Sequence, residues 1–293
     1  MQPCQTFPNC KLFRLYLGIN RRGVRRLHLT SLLCWLAVFA RAEDSPPEQF
    51  PLNVDLRPAL GQYHFTPSEQ GARGTCSVFT MRGALEFAIA KRLGECPRLS
   101  VEFLNWSANQ SSGHHKDGGF FSDMWRGFST YGICLDSAMP YQAQFDATLT
   151  PTPAALADAK SRLELGLRLH WIKEWNVRTG LTAAHLAAIK QTLSQGWPVA
   201  GGFRWPKHPR WKDNTLQMCS PEAVFDGHSV LLVGYRDETE PPGAGVFIFQ
   251  NSAGPAGIGR MPYTYARDYM NDAVWMDSES IPKRVPNANP QTP

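Results

Sequence analysis

The spacing of apolar positions changes character midway along the chain. In the first half it follows a helical period. From Thr75 to Leu93, apolar residues recur at Val78, Met81, Leu85, Ala88 and Ile89, mostly three or four apart. Lys91 and Arg92 occupy the last turn and Gly94 follows, a basic end and a glycine stop. A shorter helix is predicted over Ser122 to Tyr131, with Ser122 as its cap and Gly132 as its end. Pro151 to Leu165 has helical composition. Thr182 to Gln195 sets Ala183, Leu186, Ile189 and Leu193 on one face, with Gly196 after it. Beyond that point the pattern shortens. Trp197 to Phe203, Ser229 to Tyr235 and Gly245 to Gln250 are brief apolar runs rich in β-branched and aromatic residues, and each reads as a strand. The polar stretch Arg236 to Ala244 suits a connection between the last two as antiparallel neighbours. Helices first and strands second predict an α+β fold with two lobes.

Composition narrows the function. The 293 residues are 43% apolar and 19% charged, enough to bury a core without metal or disulfide staples. No internal repeat is present. The net charge of +5 comes from the start of the chain: residues 1–42 hold seven cations and no acid, which leaves 23 bases against 25 acids in the remainder. A nucleic-acid partner thereby loses its electrostatic basis. The same segment reads as a signal peptide. A cationic block from Arg21 to Arg26 precedes the apolar run Leu32–Ala40, and Ala40 and Ala42 have the small-x-small spacing of a cleavage site. Cleavage after Ala42 predicts a secreted or periplasmic chain without a stable membrane anchor, since the run is too short to span a bilayer. The Arg25-Arg26 pair also leaves a twin-arginine route open. Residues 43–53 form a short Pro-rich lead and 282–293 a disordered tail. Cys76, Cys96, Cys134 and Cys219 remain after cleavage, and no disulfide pairing among the last three follows from sequence.

Three positions carry candidate chemistry. Cys76 opens the strongest helix, where unpaired backbone N–H groups and the helix dipole stabilise a thiolate. Gly71 and Gly74 before it allow a sharp turn and a close approach of substrate. His228, just after Gly227, opens a strand and can exchange a proton with a neighbouring thiol. Asn251 closes the next strand. If the two strands pair, its amide can orient the imidazole.

In combination, these residues and their neighbours resemble papain-like cysteine peptidases. Val54-Asp55-Leu56-Arg57 resembles the start of the mature enzymes. Thr66-Pro67 and Gln70-Gly71-Ala72-Arg73-Gly74-Thr75-Cys76-Ser77-Val78-Phe79 resemble the segment around the nucleophile. Leu99-Ser100, Gly118-Gly119, Tyr131-Gly132-Ile133 with Met139-Pro140-Tyr141, Gly227-His228-Ser229 through Gly234-Tyr235, and Asn251-Ser252-Ala253-Gly254 follow in the family's order. The Tyr131–Cys134 segment and Pro262-Tyr263-x-Tyr265 resemble divergent prokaryotic members. The resemblance implies a helical lobe over about 68–150 bearing the catalytic helix, and a β-barrel-like antiparallel lobe over about 151–281, within a peptidase domain of residues 54–281. It implies a secreted cysteine peptidase acting on peptide or protein substrates as a monomer, without cofactor. Cys76 would be the nucleophile, His228 the general acid and base, Asn251 its orienting group and Gln70 an oxyanion donor with the Cys76 N–H. Gly118, Gly119 and Gly227 would meet substrate backbone, and Phe120 and Phe121 would line a hydrophobic pocket.

Several positions depart from the pattern. Arg73 stands where the family has a disulfide cysteine, and no cysteine lies near Gly118. Ser77 replaces a tryptophan. Ala253 replaces the tryptophan that covers the Asn–His bond, which predicts reduced turnover. The lead before Val54 holds only about a dozen residues after Ala42, too few for the usual helical prosegment. The alternative is a catalytically weak or silent papain fold that binds peptides or partners. The same thioester chemistry on a non-protein substrate is a third reading. His114-His115-Lys116-Asp117 lacks a matching ligand cluster, so no metal site is predicted. Asn105-Trp-Ser107 and Asn109-Gln-Ser111 match glycosylation acceptors, and Asp226 reads as a turn residue.

Overall fold

The computed structural model describes residues 50–63, 65, 68–95, 97–241, 243–253 and 257–278, all within the unit that begins at Gln49. The expected signal peptide, residues 43–49 of the lead, Thr66-Pro67, Cys96, Gly254 and the tail lie outside them, as does the Asp226 side chain.

Strand β1 (Asn53–Asp55) and helix α1 (Arg57–Gln62) lead into α2 (Cys76–Leu93). Helix α2 is buried on all sides from Cys76 to Ala90, more than a one-faced amphipathic pattern implies. Its polar positions are absorbed internally: Arg82 pairs with Glu86 at 3.2 Å, and Glu86 also accepts the Leu99 N–H at 2.8 Å. Burial raises the Glu86 pKa above the usual carboxylate range. The helix ends on Gly94 at φ 83°, the left-handed stop that its sequence predicts.

Helices α3 (Val101–Ser112), capped by Ser100 Oγ, and α4 (Phe121–Tyr131) pack against α2. Ser122 does not cap α4; Phe120 holds the cap position without a side-chain bond, and Ser122 lies inside the first turn. Helix α5 (Pro153–Ser161) buries Ala155 and Ala159 with Phe103, Cys134 and Met139 in a small second core. Helix α5 falls within the Pro151 to Leu165 stretch of helical composition.

Among the described residues, the other layer is a nine-stranded sheet. Its strands are β1, β2 (Leu167–Lys173), β3 (Val199–Pro206), β4 (Trp211–Lys212), β5 (Thr215–Leu216), β6 (Val224–Glu238), β7 (Ala244–Gln250), β8 (Ile258–Pro262) and β9 (Met270–Ser278). They are ordered β2-β9-β3-β6-β7-β8-β5-β4, with β1 added on β6. All pairs are antiparallel except β5 with β8. Strands β6 and β7 pair with Leu231 opposite Gln250, as the two apolar runs predict. Helix α6 (Ala183–Ser194), capped by Thr182 with His185 completing a capping box, packs on β2, β3 and β6. A short helix α7 (Tyr263–Tyr269) joins β8 to β9. One hydrophobic core joins α2 to the sheet, and the helix runs between the two layers. The α+β architecture with a helical and a β lobe follows.

Candidate active site

The start of α2, the middle of β6 and the end of β7 converge. The turn before α2 needs glycine at Gly71, where φ is 63°. Thr75 occupies the cap position but makes no capping bond; its Oγ1 instead meets Tyr141 Oη at 2.7 Å. The first-turn N–H groups of α2 are therefore not consumed by a side-chain cap and can face a negative charge. Cys76 is buried, with Sγ 3.6 Å from the Gly227 carbonyl oxygen. The backbone N–H and hydroxyl of Ser229 also bear on the thiol. Sγ thus rests against the residues on either side of His228.

His228 Nε2 lies 2.9 Å from Asn251 Oδ1. The amide is held in one orientation, because Asn251 Nδ2 donates to the Ala253 carbonyl at 2.5 Å and the Ala253 N–H donates to Oδ1 at 3.1 Å. Oδ1 can only accept, so Nε2 must donate, and in the neutral ring Nδ1 is the unprotonated nitrogen. Burial pushes the Cys76 thiol pKa up and the His228 pKa down. Both effects favour a neutral pair at rest. The N–H groups of Cys76, Ser77 and Ser229 oppose the first, and the Asn251 bond opposes the second.

Gln70 is tied to the same corner. Its backbone N–H donates to the Ser252 carbonyl at 2.8 Å, and its Oε1 accepts from Ser252 Oγ at 2.8 Å. Nε2 donates one hydrogen to the Arg73 carbonyl at 2.7 Å. The second hydrogen of that amide is the one available to a developing oxyanion.

Facing this corner is the Gly118-Gly119 segment. Gly118 has φ 66°, and a Cβ there would sit 2.5 Å from the Gly74 carbonyl oxygen, so the loop cannot lie this close with a side chain. The Gly118 N–H donates to Asn105 Oδ1 at 3.0 Å, and the Gly119 N–H donates to Ser77 Oγ at 3.2 Å. Ser77 thus links helix α2 to the segment expected to meet substrate. Beside His228 lies a cavity of about 140 Å³ lined by Gly119, Phe120, Phe121, Phe203, Gly227 and Trp175 among others. Phe121 is buried at its base, whereas Phe120 is exposed at its rim. Trp175, on the loop after β2, lines the same cavity and packs edge-on to Phe120 with centroids 5.1 Å apart. Its only sequence signal is a lone tryptophan in a polar stretch.

Arg73 fills the place of the missing disulfide. Its guanidinium meets Glu102 at 2.6 Å, Asp117 at 2.7 Å and the Gln142 carbonyl at 2.9 Å, beneath the Tyr141 ring. It therefore ties the nucleophile turn to α3 and to the residue preceding Gly118. Asp117 is committed to this pair, and no group of three metal-ligating side chains occurs among the described residues. The asparagines of both glycosylation motifs are buried on α3 and bond to the 116–118 loop, so they serve the fold instead of carrying sugar. Cys134 and Cys219 are free thiols, as is Cys76.

No family model matches the chain. Bovine (Bos taurus) pro-cathepsin H is 26% identical over 208 residues, which are 70% of this chain and 57% of that protein. Cathepsin B-like CP3 of Giardia intestinalis is 27% identical over 139 residues, 47% of this chain and 43% of that protein. The chain spans about half the length of the curated relatives it matches. Among solved structures, xylellain, a cysteine protease from Xylella fastidiosa, superposes with TM-score 0.61 at 23% identity over 79% of this chain and 87% of its own. Digestive procathepsin L 3 of Tenebrio molitor larval midgut gives 0.56 at 21%, over 80% and 72%.

Proposed function

We propose, from the premise that this chain has the papain-like fold and resembles papain-like cysteine peptidases in sequence, that it hydrolyses peptide bonds through a Cys76 thioester. The observation that carries this reading is the His228–Asn251 bond of 2.9 Å beside a thiol at a helix start. With Nε2 donating to Asn251, Nδ1 takes the thiol proton, and Sγ attacks the scissile carbonyl carbon. The oxygen gains the electron pair of the C=O bond. The Cys76 N–H and the second hydrogen of Gln70 Nε2 stabilise it. Nδ1–H then protonates the leaving amine as the C–N bond breaks. Water, deprotonated by the same nitrogen, attacks the thioester and releases the acid and the free thiol.

Burial of the pair sets a cost on charge separation, which the helix N-terminus offsets. The cavity beside His228 receives an apolar substrate side chain between Phe120, Phe121 and Trp175. Export follows from the cationic and apolar pattern of residues 1–42, with a mature chain starting at Glu43. No helix among the described residues is long and apolar enough to cross a membrane.

Peptide-amide turnover by the purified chain tests the reading, with Cys76→Ala and His228→Ala as controls. Turnover lost in both supports it. A folded chain that binds peptides without cleaving them would favour the silent-fold alternative.

A further inference from the structure

We propose that Trp205 is a positioning residue for His228, keeping water off the His228–Asn251 hydrogen bond from a strand that carries neither partner. This rests on the peptidase reading for its catalytic consequence, though not for its structural test.

Ala253, two residues after Asn251, engages Asn251 through its backbone alone, by the two hydrogen bonds that lock the amide. Its methyl group is too small to cover the imidazole. The covering ring comes from β3. Phe203 faces His228 across the β3–β6 ladder, and Trp205 lies two residues further along β3 on the same face. The indole sits 4.6 Å from the His228 ring, centroid to centroid, at 59°. The same indole packs edge-on to Phe249 at 6.0 Å, two residues before Asn251. Trp205 therefore bridges the strand that carries His228 and the strand that delivers Asn251.

Two further rings hold it there. Trp211 packs on Trp205 at 6.5 Å and on Phe249 at 6.2 Å, and Tyr265 approaches Trp205 at 6.1 Å. Trp205 and His228 are 7% and 8% exposed and Asn251 is half-buried, so the imidazole end of the bond lies against aromatic rings. An N–H···O bond open to water competes with water for both partners, while one under low-dielectric cover is strengthened and holds its geometry. Arg204, whose guanidinium lies against Tyr269 and the Asp268 carbonyl, is directed elsewhere.

The test is the exchange rate of the His228 ring N–H with solvent, followed by NMR on the ¹⁵N-labelled chain. In the wild-type protein this proton is expected to exchange slowly. In Trp205→Ala it should exchange roughly tenfold faster, about the factor one net hydrogen bond is worth. Trp205→Val, which keeps a strand-forming residue in β3, should show the same change and guards against mere loss of fold. Adding Ala253→Trp to Trp205→Ala should restore slow exchange by covering the bond from the other side. The kcat for peptide turnover should fall and recover in step, with KM nearly constant. Wild-type exchange in either folded variant would overturn the proposal, and so would failure of Ala253→Trp to restore it. The ring-proton readout needs no turnover. A chain that cuts no peptide would refute the peptidase reading and leave the shielding result standing on its own.

Discussion

Replacing Arg73 by methionine tests how the site is held together without a disulfide. The change keeps the stem and removes the guanidinium. Glu102, 4% exposed, and Asp117, 17% exposed, then face each other without their shared cation. The Gln142 carbonyl loses a donor, and the Tyr141 and Phe145 rings lose the guanidinium stacked on them. Removing one partner of a buried ion pair costs about 3–5 kcal/mol, because the charge left behind stays desolvated. Asp117 can recover some hydration and Glu102 cannot, which places the expected loss near about 3 kcal/mol. That is a large share of the roughly 5–15 kcal/mol that holds a domain together. Urea unfolding of wild type and Arg73→Met measures it directly. Adding Glu102→Gln and Asp117→Asn should recover much of the loss, since no charge is then stranded. A loss under about 1 kcal/mol, the worth of a surface pair, would refute the view that this network is the tether.

Three further outcomes are expected. Gln70→Ala should lower kcat by about 10²–10³ with little change in KM, as loss of one oxyanion donor does. Steady-state kinetics check this, and Gln70→Glu, whose carboxylate has no N–H to donate, should not rescue it. Trp175→Ala should raise KM roughly tenfold for substrates with a bulky apolar side chain in the cavity and leave kcat nearly unchanged. A panel of peptides varied at one position measures it. His228 is held below its ordinary value of 6.5 by burial, so in the window just under 6.5 the unfolded chain takes up a proton that the folded chain refuses. Stability should therefore fall as pH drops through that window, and His228→Gln should flatten the fall in urea midpoints measured down to about pH 5.

The cluster of Cys76, His228 and Asn251 was legible from sequence because its members sit beside local signals. Cys76 opens a helix with a clean glycine stop, and His228 and Asn251 flank two apolar runs whose pairing brings them together. Strand β9 was not legible: Asn271 and Asp272 interrupt its apolar run, and its identity comes from pairing with β3 and β2. Strand β6 extends at both ends past the apolar run because β3 and β7 supply partners for its polar ends. Arg73, Trp175 and Trp205 act through contacts with residues far along the chain, and no local period marks such contacts. Ala253 signals only its own small side chain; the ring that packs on His228 lies 23 residues before it in sequence, at Trp205 on β3.

The central claim, that Cys76 is an activated nucleophile served by His228, is tested most directly by covalent labelling. The full chain is treated at neutral pH with an epoxide directed at activated thiols, and the modified residue is located by peptide mass spectrometry. Cys134 serves as an internal reference, since burial pushes its thiol up to about 11. The account predicts stoichiometric modification of Cys76, sparing of Cys134, and loss of labelling in His228→Ala. A folded protein whose Cys76 stays unmodified, or reacts equally well without His228, would contradict it.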